Sequence, residues 1–518
     1  MGDTMPLRPV LKFAACLALG AAFAAGTKPA GAGEVTLVLR AGGLTMMGEL
    51  LQSNQGSYVI KSDKFGVVSV EAAKFECSGP TCPKPPASTV GIHGSNTIGA
   101  QLMPNMIERF ADREGYSVEK IVDTDPEAVQ YKLYTNGGKA AGLIDLQSHG
   151  SNTAPAGLQK GKAQVGMMSR PIKPEEVKAI ADSGTKLATH VFALDGVAVF
   201  VSPQNPVKAL SLDEIAKMFA GAIKDWSEVG GTPGKIKLYA RDAKSGTFDT
   251  FDHLVLKPKN LKISAEAQRF ESSPDLSDET ARDPNGIGFA GFAYIRNAKA
   301  LAISSECGIV SPPQVFSVKT EEYPLSRRLY LQTSAALPEL GTKLISFALS
   351  DSAQETVSGS GFVNQRIEMQ SFDQQSNRLA PALTVPDKEF NFAAMRELVN
   401  GLKNAQRLSV TFRFAKNSST LDEKARADIP RLANFLKSNA GKYTEVLLAG
   451  FTDSTGTFEA NRTTALARAT AFKGALVAEG VPEAQIVVKS YGSLLPAGCN
   501  ATEAGKDKNR RVEVWVKE

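Results

Sequence analysis

"RDAKSGTFDTF", Arg241 to Phe251, sets an arginine four residues ahead of a Ser-Gly-Thr run. Before it, "KIKLYARD" alternates as a strand does. After it, "GTFDTFDHLVL" spaces its apolar residues as a helix does. A helix start leaves backbone N–H groups unpaired and partially positive, and Ser, Thr and Gly let an anion approach them closely. Arg241 adds a fork of donors suited to a tetrahedral oxyanion. Alone, Ser-Gly-Thr before a helix is more often a simple N-cap. Two further stretches share the chemistry, however: "HGSNTIG" at His93–Gly99 and "SHGSNTAPAG" at Ser148–Gly157. Three such junctions in one region predict ligand capture between lobes.

That region runs from Ser88 to about Arg366. Strand-like "STVGIHG" and "HVFALDGVAVFVS" alternate with helix-like "LSLDEIAKMFAGAI", so two α/β lobes are expected. The chain has 518 residues, enough for two to four domains. Its formal net charge is only +5 and no basic run stands out, which argues against nucleic acid. Arg8, Lys12, the apolar run Phe13–Ala25 and "AGA" at Ala30–Ala32 have the layout of a secretory signal peptide, residues 1–32. Cys16 does not fit a lipoprotein cysteine, because the apolar run lies mostly after it. No later segment is apolar enough for a membrane span, so an exported protein is expected.

Residues 33–87 alternate apolar and polar positions between glycine-bearing turns and predict a small β domain. Cys77 and Cys82 flank a Gly-Pro turn and form a plausible local disulfide in an oxidising compartment. Cys307 and Cys499 have no evident partners and read as buried thiols. Residues 367–407 are polar and broken by proline, hence a linker. Disordered, it would have an r.m.s. reach of about 35 Å. Residues 408–518 predict a compact α+β unit.

The central region resembles the PstS-like phosphate-binding proteins of bacterial ABC transporters. The likeness rests on "GSNTIGAQLMP", "VGMMSRPI", "LSLDEIAKMFAGAIKDWSEVGG", "RDAKSGTFDTF", "NGIGFAGFAYI" and "LISFALSDSAQETVSGSGFV", in family order over more than half the chain. The resemblance implies two lobes closing on an anion held by Ser95, Thr97, Ile98, Ser151, Arg241, Ser245, Gly246 and Thr247, with Ser169 and Arg170 beside it. High-affinity phosphate binders place an aspartate where this chain has Ser169. A carboxylate there accepts a proton-borne hydrogen bond, so its absence leaves phosphate as the first choice with sulfate or a larger phosphorylated ligand open. An ABC permease is a partner the likeness brings with it.

His93 and His149 each stand two residues before a serine in the repeated "HGSNT". A Ser–His hydrolase needs the imidazole facing the hydroxyl and a carboxylate orienting it, and no "GxSxG" elbow occurs. No catalytic residue, cofactor or metal site is assigned; the histidines read as polar side chains at strand ends.

Residues 408–518 resemble the OmpA-like peptidoglycan-binding domain through "FAKNSSTLDEKA", "VLLAGFTDSTGTFEANRTTALARATAFKGAL" and "NRRVEVWV". The likeness implies that Asp453 and Arg468 hold the ammonium and carboxylate of a diaminopimelate stem peptide, with Asn461 and Arg511 in support. Phe451 and Thr464-Ala465 depart from the family's usual His and Leu-Ser. The combined expectation is a periplasmic oxyanion-binding protein tethered to the wall on the outer-membrane side of a Gram-negative envelope. The rivals are a structural envelope protein with altered lobes and, less favoured, an esterase or phosphatase.

Overall fold

The computed structural model describes residues 34–39, 43–54, 57–82, 88–122, 124–384, 390–414 and 421–518. The signal segment, at residues 1–32, lies outside the described residues. The chain forms two compact units, Met1–Lys84 and Pro85–Glu518.

In the first unit a five-stranded antiparallel sheet runs Gly66–Glu71, Ser57–Ser62, Thr45–Asn54, Glu34–Leu39, Phe75–Ser78 from edge to edge. Val35, Leu37, Met46, Ile60 and Phe75 form its core. Cys77 and Cys82 are bonded, as their spacing predicted.

The second unit is built on an eleven-stranded sheet. One end carries Ser117–Val122, Ala128–Tyr134, Ala140–Gln147, Thr89–Gly94 and Val165–Met168, and forms the first lobe. The other carries Gly286–Gly291, Lys237–Arg241 and Gln268–Phe270, and forms the second. Between them lie two long antiparallel strands, Leu187–Val201 and Ser326–Ser334, paired from Leu187↔Ser334 to Gly196↔Ser326. Phe192–Val201 of the first and Leu329–Ser334 of the second are buried throughout, because side chains pack on both faces of the sheet. These two strands carry the backbone from one lobe to the other.

The C-terminal domain has a five-stranded sheet ordered Met369–Ser371, Gln406–Arg413, Arg511–Lys517, Glu445–Phe451, Ile486–Ser490. Helices Glu423–Ser438 and Phe458–Ala478 cover one face through Leu432, Leu436, Phe472 and Leu476. The opposite face also presents apolar residues, Leu447, Ala449, Phe451 and Trp515. Met395, Leu398 and Leu402 of helix Phe392–Leu402, together with Phe372, cover it. This corrects the reading of residues 367–407 as a linker. "VLLAGF" is apolar at successive positions, so both of its faces need a cover, and the segment supplies the second layer. Fully burying Leu398 and Leu402 contributes about 2 kcal/mol each. Among the described residues of this segment there is no free tether reaching about 35 Å.

A second correction concerns Cys307 and Cys499, which are bonded to each other across 192 residues of sequence. The bond joins the second lobe to the C-terminal domain. In the chain-entropy account a loop of that length gives about 5 kcal/mol of stabilisation. An ion network accompanies it. Glu321, at a left-handed φ of 55°, and Glu322 project from the second lobe. Glu321 meets Arg413 at 3.0 Å and Arg328 at 2.6 Å, while Glu322 meets Arg378 at 3.0 Å and Arg407 at 2.5 Å. Lys508 Nζ donates to the carbonyls of Glu321, Glu322 and Tyr323. Burial alone would raise the pKa of both glutamates, but the surrounding guanidinium groups outweigh it and hold them well below the ordinary carboxylate range.

Candidate functional site

The site forms where loops of both lobes meet. Strand Thr89–Gly94 ends at Gly94 in a positive φ of 137°, and the chain turns through Ser95 into the short helix Asn96–Gly99. Strand Lys237–Arg241 delivers Arg241, and Ser245 caps helix Gly246–Phe251 by accepting from Thr247 N and Phe248 N. Ser151 opens a short 3-10 turn, and Ser169 follows strand Val165–Met168.

The predicted residues converge. Thr97 Oγ1 lies 2.9 Å from Thr247 Oγ1 across the two lobes. Ser151 Oγ lies 3.2 Å from Ser169 Oγ and accepts from Ser169 N at 3.0 Å. Gly246 faces this pair, and a Cβ there would collide with both Ser151 Oγ and Ser169 Oγ. Ser95 Oγ is buried with no hydrogen-bond partner. Ile98 buries its side chain in the core, and its N–H bonds Ser95 O at 3.2 Å.

Arg241 is 1 % exposed. Its partners are all uncharged: Phe270 O, Glu271 O, Ser273 Oγ and Asn96 Oδ1. Burial, and to a lesser degree the neighbouring Arg327, push its pKa down to about 10, with Asp242 working against them. It therefore stays charged at neutral pH. A buried cation that is hydrogen-bonded but not ion-paired is costly and leaves the site short of negative charge.

Arg170 departs from expectation. Its guanidinium is occupied by Asp249, Glu176, Asn152 Oδ1 and Pro171 O, so it has no donor left for a guest. Because Asp249 belongs to the second lobe, Arg170 ties the lobes together instead. His149 does likewise, standing 3.3 Å from Asp125 and 3.5 Å from Glu271 of the opposite lobe. His93 packs its ring close to Gly157, and burial lowers its pKa. Neither histidine is hydrogen-bonded to the hydroxyl cluster. Sequence reasoning missed Arg327 and Asp195, a buried ion pair at 2.6 Å whose arginine also donates to Thr247 Oγ1 at 2.7 Å. The signal was present: a single acid inside the apolar run "HVFALDGVAVFVS".

In the C-terminal domain Asp453 pairs with Arg510 at 2.6 Å. Charge-assisted bonds from Arg510 and Thr455 lower its pKa against the opposing effect of burial. Around it Thr452 Oγ1, Asn461 Nδ2, Arg468 Nη1 and Arg510 Nε are buried without hydrogen-bond partners. Arg511, predicted as a support, is not among them. It bonds Glu513, Asn509 O and Leu495 O and stacks over Phe451 on the other side of the sheet. Arg510, one residue earlier and outside the strand, takes the place assigned to it.

Two α/β lobes joined by paired strands around a buried arginine define a two-lobed ligand-binding protein. A family model described as a PBP superfamily domain matches residues 97–352, and one described as the OmpA family matches residues 413–510. The chain is 28% identical over 299 residues to the phosphate-binding protein PstS of Pseudomonas aeruginosa, covering 53% of this chain and 84% of that protein. To the phosphate-binding protein PstS of Bacillus subtilis it is 31% identical over 214 residues, 41% of this chain and 68% of the relative. A solved ABC-type phosphate transport receptor from Vibrio cholerae superposes with a TM-score of 0.41 at 22% identity, over 53% of this chain and 99% of that one. The chain belongs to the PstS family of phosphate-binding proteins and carries an OmpA-family domain at its C-terminal end.

Proposed function

We propose that the chain is an exported solute-binding protein that captures phosphate or a related oxyanion between its lobes and is held to peptidoglycan by its C-terminal domain. The observation that carries the first part is Arg241: buried, charged, with only neutral partners, and ringed by hydroxyls from both lobes. A tetrahedral oxyanion supplies the missing charge and gives Ser95 Oγ a partner. The relatives named above are phosphate-binding proteins, and the reading assigns no turnover. An ABC permease is its natural recipient. Titration calorimetry with inorganic phosphate tests capture. Arg241→Ala should weaken binding by about 2–5 kcal/mol, the range for truncating a buried charge partner, and unchanged affinity would remove the assignment.

The tether rests on the four unpartnered polar atoms around Asp453 and Arg468. An amino acid end carrying both charges matches one fixed carboxylate and one fixed guanidinium. The location follows as the periplasm, on the outer-membrane side. Cosedimentation of the full chain with purified sacculi, wild type against Arg468→Ala and Asp453→Asn, tests it. Equal pelleting by all three folded proteins would defeat the tether.

A further inference from the structure

We propose that Arg327 is a specificity-determining positioning residue. By donating to Thr247 it fixes that hydroxyl as a donor, in line with the other hydroxyls of the site, so that the site takes fully ionised tetrahedral oxyanions and accepts sulfate nearly as well as phosphate. The inference rests on the oxyanion-capture reading above and names the ligand class more narrowly.

Arg327 stands at the start of strand Ser326–Ser334, one of the two strands shared by the lobes. Its Nε and Nη2 hold Asp195 Oδ2 at 3.0 and 2.6 Å. Asp195 Oδ1 accepts from Phe292 N at 3.0 Å, so both carboxylate oxygens are engaged. Gly291 lies against the pair, since a Cβ there would stand 2.5 Å from Asp195 Oδ2 and 3.0 Å from Arg327 Nη2. The guanidinium is thereby held in one pose, and its Nη1 is aimed at Thr247 Oγ1.

A hydroxyl whose oxygen accepts from a guanidinium turns its hydrogen elsewhere. For Thr247 that direction is toward Thr97 or a guest between the lobes. Ser245 Oγ accepts from two backbone N–H groups, and Ser151 Oγ accepts from Ser169 N. These three hydroxyls thus share one polarity, and all present hydrogens. The nearby carboxylates are engaged: Asp195 with Arg327, Asp249 with Arg170, Glu127 with Asn96 Nδ2 at 2.6 Å. With Ser169 at the position where the family's aspartate stands, a guest's P–OH finds only neutral hydroxyls as acceptors. Bonds to neutral acceptors are about half as strong as those to ionised ones. Sulfate brings no proton and loses nothing by this; phosphate gains only as it sheds its own.

Calorimetry on the full chain with sodium sulfate and with inorganic phosphate, at acid, neutral and mildly alkaline pH, reads the difference. Sulfate should bind within about tenfold of phosphate at neutral pH and show little pH dependence, while phosphate tightens as pH rises. The double variant Asp195→Asn/Arg327→Gln removes both charges together, which buried pairs tolerate better than loss of one partner. It frees Thr247 to accept, so the sulfate-to-phosphate affinity ratio should fall by about tenfold. Arg327→Lys retains the charge for Asp195 but not the planar fork that extends a separate Nη1 to Thr247, and should shift the ratio the same way in a chain whose melting shows it folded. A ratio unchanged in both variants overturns the proposal, as does a wild-type chain that binds phosphate but rejects sulfate by more than about a hundredfold. The latter result leaves oxyanion capture standing. A wild-type chain that binds neither anion removes the capture reading and this inference with it.

Discussion

The five letters HGSNT occur at residues 93–97 and again at residues 149–153, and the two copies do different work. In the first, Ser95 Oγ is unpartnered, Asn96 reaches Arg241 of the other lobe, and Thr97 faces Thr247. In the second, His149 spans two carboxylates, Asn152 bonds Arg170 and Ala243 O, and Thr153 closes its own turn onto Gly150 O. The serines differ as well, since Ser151 Oγ accepts a backbone N–H and Ser95 Oγ has no partner. On the reading proposed above the first copy forms part of the anion cradle, whereas the second is chiefly a clasp between lobes. Identical side chains acquire different roles because one copy follows a strand directly into a helix and the other rests on the backbone of residues 243–244.

The glycines of the two copies should separate most sharply. Both have positive φ, 137° at Gly94 and 102° at Gly150, so alanine costs about 1–3 kcal/mol of strain at either position. At Gly94 the added Cβ would strike the Met167 carbonyl inside the first lobe. Gly94→Ala should therefore lower the melting temperature well beyond the strain alone. At Gly150 the Cβ would strike the Lys244 carbonyl of the second lobe. Gly150→Ala should keep the lobes folded, hold them apart, and weaken phosphate binding more than tenfold, roughly the effect of losing one charge-assisted bond. Equal melting and equal affinity for the two variants would erase the distinction.

The threonines come next. Thr97→Val removes a donor to the guest and should cost about 1.5–3 kcal/mol of anion affinity by calorimetry. Thr153→Val removes a hydrogen bond within its own turn, so about 0.5–1.5 kcal/mol of stability should go with affinity unchanged. The reverse pattern would exchange the roles of the two copies.

The histidines should differ least. His149 and its two carboxylates are partly exposed, at 28%, 46% and 48%, so His149→Gln should change affinity by less than about fivefold. The His93 pKa lies below its ordinary 6.5, chiefly through burial, with His149 and Lys162 adding to the effect and Asp145 opposing it. The unfolded chain then takes up this proton first as pH falls. Stability should decline below about pH 6.5 in the wild type and less so in His93→Gln, as followed by thermal melts. Parallel melting curves across that window would remove the buried-histidine account.

Much of this arrangement was legible in the sequence, for reasons that differ by residue. Ser-Gly-Thr after Arg241 carries its meaning locally, as do Cys77 and Cys82 across their turn. What escaped depends on distant partners. Arg170 resembles a ligand until Glu176 and Asp249 are seen to occupy it. Arg510 and Arg511 differ by one position at the start of a strand, which decides between the Asp453 side and Glu513. Cys307 meets Cys499 at a junction where Glu322 docks on Arg378 and Arg407, both supplied by the segment that composition alone marks as a linker.

Successive residues of a strand point to opposite faces. In Ser326–Ser334 Arg327 therefore turns toward Thr247, while Arg328 turns toward Glu321 and, at 2.8 Å, toward Asp422 of the C-terminal domain. Their Cα atoms are about 3.8 Å apart, as in any trans-linked pair. A pull on the C-terminal domain thus enters the backbone one residue away from the guanidinium that donates to Thr247. If the chain is tethered and binds an oxyanion as proposed, mechanical load and ligand share this single strand.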